Sequence, residues 1–195
     1  MRKILCILML IKLFTLMEQR SNTRRLSMKK IVTFIATCMM LGTFAFAEGY
    51  INANDLEAGE ITDVKEEEDG FVLNATAEKN LTVEKKPVHK SPAGEEYVQA
   101  IKLNGSGKAG YRSISFPAKA GETIVVHGNS GSKTDVRPLL LVNEAGEVLA
   151  EMPMSVDGQA GTVASEGKFK VTADGTYTVY SKKSGINIYY IGVGK

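Results

Sequence analysis

The chain has 195 residues, with 24 basic and 22 acidic side chains, two histidines and two cysteines. Eight of the basic residues and one of the acidic residues precede residue 48, so the remaining 148 residues carry 16 basic and 21 acidic side chains, a net charge of −5. A mildly acidic chain has no electrostatic attraction to a polyanion, which excludes nucleic acid as an expected partner. The length suffices for one domain with its own core.

The first predicted element is a signal peptide at residues 28–47. Lys29 and Lys30 precede the apolar run Ile31–Phe46, and the segment closes on the small residue Ala47. A basic start, an apolar centre and small residues before the cut are the layout of a secretory signal. The run of 16 residues is short for a membrane span, which needs about 20. We therefore expect cleavage between Ala47 and Glu48.

Residues 1–27 form a second basic and apolar stretch with no clear physical purpose. The simplest interpretation is that translation begins at Met28 and that residues 1–27 are a mis-called extension. An extended signal or an N-terminal membrane anchor is an alternative. A lipoprotein with lipid on Cys38 is a third, although Ile35-Ala36-Thr37 is a poor lipobox.

Export is the expected destination, to the periplasm, the medium or the cell surface. Cys6 and Cys38 both precede the expected cut, so the mature chain has neither a disulfide nor a thiol nucleophile. Its stability must come from the core alone, because no disulfide constrains the unfolded state.

The mature chain predicts strands and almost no helix. Apolar and polar residues alternate in short runs at intervals of about 8–15 residues, which is typical of an antiparallel β-sandwich of jelly-roll type with about ten strands. The predicted runs are Phe71–Ala75, Leu81–Val83, Val98–Leu103, Tyr111–Phe116, Thr123–His127, Pro138–Val142, Val148–Glu151, Thr162–Ala164, Phe169–Val171, Tyr177–Tyr180 and Ile186–Val193. We expect residues 48–195 to form a single sandwich domain.

The last run has the clearest face pattern. Alternation places Ile186, Ile188 and Tyr190 on one face, which we expect in the core. It places Asn187 and Tyr189 on the other face, which points outward unless both faces are covered.

The order of these pieces resembles the small β-sandwich module found beside the catalytic domains of secreted bacterial pectate lyases and related polysaccharide-degrading enzymes. The residues that carry the resemblance lie across roughly 50–195, in Gly70–Thr76, Leu81–Val83, Ile101–Gly107, Arg112–Phe116, Thr134–Asn143 with Gly146, Gly175–Ser181 and Ser184–Ile191. The resemblance implies a carbohydrate-binding-like, non-catalytic module. The catalytic β-helix of such lyases needs several hundred residues, so we do not expect it within the 148 residues that follow the cut.

The residues themselves give no catalytic constellation. His89 and His127 are isolated, no Gly-x-Ser-x-Gly elbow occurs, and paired carboxylates are not distinguished from the many acidic loop residues. Two lone histidines also make a poor zinc site. We therefore expect no enzyme activity, no metal and no cofactor.

The predicted carbohydrate-binding residues are Arg112, Asp135, Arg137, Asn187 and Tyr189. Only two arginines remain after residue 47, and a guanidinium suits the carboxylate of a uronic acid. The plainer alternative is that each arginine holds a loop through an internal salt bridge or carbonyl contacts. Tyrosines likewise serve more often as core residues than as sugar platforms.

Three functions remain open from sequence. The first is an exported, non-catalytic module that binds polysaccharide, with acidic polysaccharide as the expected ligand. The second is a structural or adhesion-type envelope protein that uses the sandwich as a scaffold. The third is the remnant of a larger pectate lyase. The fold alone does not separate them, and the sequence leaves the oligomeric state open.

Overall fold

A computed structural model describes residues 49–158 and 161–195. The expected signal peptide, its cleavage site and residues 1–27 lie outside the described residues. Thirteen strands make up most of the described part: β1 Gly49–Asn52, β2 Gly59–Ile61, β3 Lys65–Glu66, β4 Val72–Asn74, β5 Leu81–Lys90, β6 Glu96–Leu103, β7 Ser113–Ala118, β8 Thr123–Ser130, β9 Arg137–Val142, β10 Val148–Met154, β11 Ser165–Lys170, β12 Gly175–Ser181 and β13 Ile186–Gly194.

The strands form two antiparallel sheets that face each other, which confirms the predicted sandwich. The first sheet has the order β11-β8-β13-β6-β5-β2, and β1 pairs with the second half of β13. The second sheet has the order β10-β9-β12-β7-β4-β3. Short 3-10 helices at Ala53–Asp55 and Glu68–Gly70 are the helical elements of the described residues.

The core lies between the sheets and takes alternate residues from each strand. Ile101 and Leu103 of the first sheet and Ile114 and Phe116 of the second are fully buried in it. Phe116 stacks on Phe71 with 5.2 Å between ring centroids. Alternation therefore works as a predictor here, because one face of each strand must be apolar to close this layer.

Two sequence-based expectations about strands are wrong. Thr162–Ala164 is not a strand: Val163 lies in the connection between β10 and β11 and makes only an isolated bridge to Lys90. Strands β1 to β3, which alternation did not predict, are two to four residues long. Such short pieces carry too few apolar residues to show a period.

The face assignment of β13 is also wrong from Tyr190 onward. The pairing of β13 with β8 shifts between Ile188 and Tyr190, so one extra residue is inserted in β13. A bulge reverses the alternation that follows it. Tyr189 and Tyr190 both lie on the face away from the core, and Ile191 and Val193 return to the core.

Among the described residues, no helix has the length and apolar character needed to cross a membrane.

Replacing Phe116 by Ala should destabilise the fold strongly. Its ring is fully buried against Phe71, and removing a buried aromatic ring costs about 3–5 kcal/mol. Urea unfolding followed by circular dichroism measures the loss. Val148→Ala, at a side chain that is 52% exposed, is the control and should change the free energy of unfolding by less than about 0.5 kcal/mol. A small effect of Phe116→Ala would contradict the core placement.

Candidate functional site

A row of aromatic and imidazole rings crosses the outer face of the first sheet, away from the core. Strands β1, β5, β6, β8 and β13 each place at least one ring there. In spatial order the ring row consists of Tyr50, Tyr190, His127, Tyr97, Tyr189 and His89.

The rings contact one another in sequence. Centroid distances along the row are 6.0, 5.4, 6.0, 5.3 and 5.0 Å, and the planes of Tyr97 and Tyr189 are nearly parallel, 5° apart. One end is sealed, because Tyr97, Tyr189 and His89 are buried. The other end is open, because Tyr50 is 51% exposed. The row therefore presents a ring surface to solvent at the Tyr50 end only.

Tyr190 can lie flat beside Tyr50 because of the residue two positions further along β13. A Cβ atom at Gly192 would collide with the ring and hydroxyl of Tyr190. Glycine at this position thus leaves space for the ring above the strand. The two tyrosines stack with their planes 21° apart.

His127 connects the buried and open parts of the row. Its Nδ1 lies 2.6 Å from the hydroxyl of Tyr97, and its Nε2 lies 3.3 Å from Oε2 of Glu166. Lys168 pairs with the other oxygen of Glu166 at 2.7 Å. The hydrogen bond from Lys168, followed by that from His127, outweighs partial burial and holds the pKa of Glu166 below its usual range. Glu166 therefore offers an ionised hydrogen-bond acceptor at neutral pH.

A groove of about 660 Å³ opens over this end of the row. We call it the Tyr50 groove. Its lining includes Tyr50, Tyr190, His127, Glu95, Glu166 and Lys168. Exposed ring faces beside a few fixed polar groups are the features of a small-molecule site. Another depression, of about 270 Å³, is lined by Phe71, Pro117 and Ala118 among others. It is smaller and has no tyrosine in its lining.

The two predicted arginines hold loops in the structure. Arg137 donates from Nη1 to the carbonyl oxygen of Gly185 at 2.7 Å. Arg112 donates from Nη2 to the carbonyl oxygen of Glu78 at 3.3 Å, and its guanidinium lies against Gly105. These are the carbonyl contacts of the plainer alternative.

The other three predicted residues are spread over the surface and interior. Asp135 is exposed and accepts from the hydroxyl of Ser132 at 3.4 Å. Asn187 and Tyr189 share the outer face of the first sheet, as expected, but both are fully buried. Asn187 donates to Oδ2 of Asp157 at 3.3 Å. The structure therefore brings Asn187 and Tyr189 together, and a binding role for the five residues stays a prediction.

Sequence reasoning missed the residues of the Tyr50 groove. Tyr50 lies outside every strand that alternation predicts, and alternation places Tyr190 in the core. The signal that points to Tyr190 is Gly192, two residues later on the same face. His127 and Glu166 are paired neighbours on β8 and β11, but only strand pairing, not sequence distance, reveals this.

Within residues 49–158 and 161–195, no group of three or more histidine, cysteine, aspartate or glutamate side chains is arranged to hold a metal ion.

No family model and no curated protein matches this sequence. Solved structures similar to the chain include the C-terminal CBM6 of LamC, a marine laminarinase from Zobellia galactanivorans, with 21% identity over 76% of this chain and 100% of that chain and a TM-score of 0.38. A family 35 carbohydrate-binding module from Clostridium thermocellum has 14% identity over 75% of this chain and 97% of that chain, with a TM-score of 0.42.

Replacing Arg137 by Ala should lower stability. It removes a charged hydrogen bond to Gly185, and the amide of Gly131 still donates to the same carbonyl, so we expect a loss of about 1 kcal/mol. Thermal melting measures it. Lys133→Ala, at an exposed basic residue in the loop that precedes β9, is the control and should leave the melting temperature unchanged. An unchanged melting temperature for Arg137→Ala would show that the loop does not depend on this contact.

Stability should fall as the pH rises above about 10. Burial first, and then the charges of Glu95 and Asp157 respectively, raise the pKa of Tyr97 and Tyr189 above the ordinary phenol value. The unfolded chain therefore loses these protons first, and each phenol stabilises the fold below pH 10 but progressively less above it. Tyr189→Phe should flatten this alkaline decline in urea titrations, and Tyr111→Phe should not. Identical pH profiles for wild type and Tyr189→Phe would contradict the assignment.

Proposed function

We propose that this protein is a non-catalytic carbohydrate-binding module whose ligand lies in the Tyr50 groove. The observation that carries the proposal is the stacked pair of Tyr50 and Tyr190, open to solvent beside the ionised carboxylate of Glu166. A sugar ring would pack its C–H face on the phenol rings. Its hydroxyls would donate to Glu166 and Glu95.

The same geometry supports binding rather than catalysis. The Tyr97 hydroxyl, which His127 contacts, belongs to a buried side chain whose pKa is raised. It therefore keeps its proton at neutral pH and is a poor nucleophile. His127 has both ring nitrogens occupied by Tyr97 and Glu166, so neither faces the groove as a free base.

For this groove we propose an uncharged stretch of polysaccharide. Its lining carries the carboxylates of Glu95 and Glu166 together with Lys168 and Lys195, and Lys168 is paired with Glu166. These charges balance, so the groove offers no excess positive charge to a uronic acid. Acidic polysaccharide remains the proposal for the end of the sandwich that holds Arg112, Asp135 and Arg137. That contact would need each guanidinium to engage a carboxylate in addition to its carbonyl partner.

We retain export as part of the proposal, since a polysaccharide ligand lies outside the cell and the segment before residue 48 has the layout of a signal peptide. Association with pectate lyases or related enzymes also remains a proposal. It rests on the sequence resemblance alone.

Replacing Tyr50 by Ala should weaken glycan binding without altering the fold. The side chain is half exposed, so melting should be unchanged, while loss of one stacking ring should lower affinity roughly fivefold to tenfold. Isothermal titration with xylohexaose, cellohexaose, laminarihexaose and oligogalacturonate measures this. Tyr111→Ala, a tyrosine outside the groove lining, is the matched control.

The ligand panel separates the alternatives. Neutral oligosaccharides that bind with little salt dependence, and that lose affinity in Tyr50→Ala, support the groove. Binding of oligogalacturonate that weakens with salt and with Arg112→Ala or Arg137→Ala would instead place the site at the arginines. Absence of binding to any glycan in a broad array would overturn the proposal and favour the envelope scaffold.

A further inference from the structure

His89 is fully buried at the sealed end of the ring row, and both of its ring nitrogens are engaged. Nδ1 lies 2.6 Å from the carbonyl oxygen of Pro87, and Nε2 lies 2.8 Å from Oδ1 of Asp157. The ring stacks on Tyr189 with 5.0 Å between centroids. The imidazole is thus fixed in position from both edges and one face.

Both polar partners of His89 are hydrogen-bond acceptors. A backbone carbonyl oxygen can only accept a hydrogen bond, and the same is true of an ionised carboxylate. A neutral imidazole has a single N–H, so one of its nitrogens would turn a lone pair toward an acceptor oxygen at under 3 Å. Only the doubly protonated ring gives each oxygen a hydrogen.

We propose that His89 is a buried imidazolium in the folded protein and that its ion pair with Asp157 is a proton-dependent clasp. The clasp joins β5 to the chain that follows β10. This inference concerns stability and does not depend on the proposed glycan site.

Asp157 is held as the second half of the clasp. Its backbone N–H donates to the carbonyl oxygen of Ser132 at 2.9 Å, and its Oδ2 accepts from Asn187 at 3.3 Å. Its side chain is only 21% exposed. The carboxylate is therefore directed at His89 by contacts from two other parts of the sandwich.

The charged and titratable groups around the pair come from three strands. Lys86 of β5 has its Nζ 4.0 Å from Oδ2 of Asp157 and 2.8 Å from Glu84, and Lys102 of β6 also contacts Glu84. Burial by itself raises the pKa of Glu84, but hydrogen bonds and charge from Lys86 and Lys102 outweigh it and hold the pKa low. The phenols of Tyr97 and Tyr189 complete the set and stay neutral.

These surrounding groups determine how the stability contributed by the clasp changes with pH. Lys86 is paired with Glu84 at 2.8 Å. His89 is therefore the nearest cation to Asp157, with its Nε2 2.8 Å from the carboxylate, whereas Nζ of Lys86 lies 4.0 Å away. A neutral His89 ring would have no ion pair with Asp157 and would leave one nitrogen lone pair facing an acceptor oxygen. The clasp therefore stabilises the fold at lower pH and is lost as the pH rises.

His127 provides an internal comparison. One of its partners is the Tyr97 hydroxyl, which can donate to Nδ1, and the other is the Glu166 carboxylate, which accepts from Nε2. A neutral ring satisfies both. The partners of His89 therefore need two N–H donors from the ring, whereas the partners of His127 need only one.

Long-range ¹H–¹⁵N correlation spectra of the full chain test the proposal directly. Only two histidines are present, and His127→Gln assigns them. We expect both nitrogens of His89 to show protonated shifts at pH 7, and His127 to show one protonated and one bare nitrogen above pH 8. A bare nitrogen on His89 at pH 7 would overturn the proposal.

Asp157→Asn supplies a second test. The variant should lower the melting temperature by roughly 5–10 °C at pH 6, and the difference from wild type should shrink by pH 9. Asp135→Asn, at an exposed aspartate, should match wild type throughout. An Asp157→Asn variant with the same deficit at every pH would contradict the clasp. If that variant does not fold, the wild-type spectrum alone decides.

Discussion

The extra residue in β13 is the constraint on which the outer face of the first sheet depends. Strict alternation would bury Tyr190 in the sandwich and turn Ile191 to solvent. The bulge between Ile188 and Tyr190 instead keeps two adjacent tyrosines on one face while Ile191 and Val193 return to the core. Tyr189 then closes the buried part of the ring row, and Tyr190 forms the open part with Tyr50. One inserted residue thus produces both the sealed and the accessible end.

Polar groups buried at the sealed end of the ring row cost free energy of folding. Among the described residues, Asn129 Oδ1, Asn187 Oδ1 and the Tyr189 hydroxyl are buried without a hydrogen-bond partner, and each such atom costs about 1–3 kcal/mol. The amide nitrogens of both asparagines, in contrast, donate to residues 155–157. The outer layer is therefore held by amide donors and ring stacking, whereas the inner layer is apolar.

The sequence predicted the inner layer well and the outer layer poorly, for a physical reason. Alternation records which residues face the core, and the strands from β4 onward follow it because each must bury one face. It carries no information on strand neighbours, so it could not join His127 to Glu166 or His89 to Asp157. It also fails after a bulge, which is why Tyr190 was misplaced. The arginines were singled out for their rarity, but rarity does not distinguish a ligand contact from a loop contact such as that of Arg137 with Gly185.

The pairing of the first and last strands has a mechanical consequence. Gly49 of β1 lies opposite Val193 of β13 in an antiparallel register. A pull that separates these two strands from that end would open the ladder one pair of hydrogen bonds at a time, because the bonds are loaded in turn and not together. Tyr50 would move away from Tyr190 early in that separation, and Ile51 of β1 would leave the core after it. Detachment of β1 would therefore dismantle the ring platform, whereas β13 would stay paired with β8.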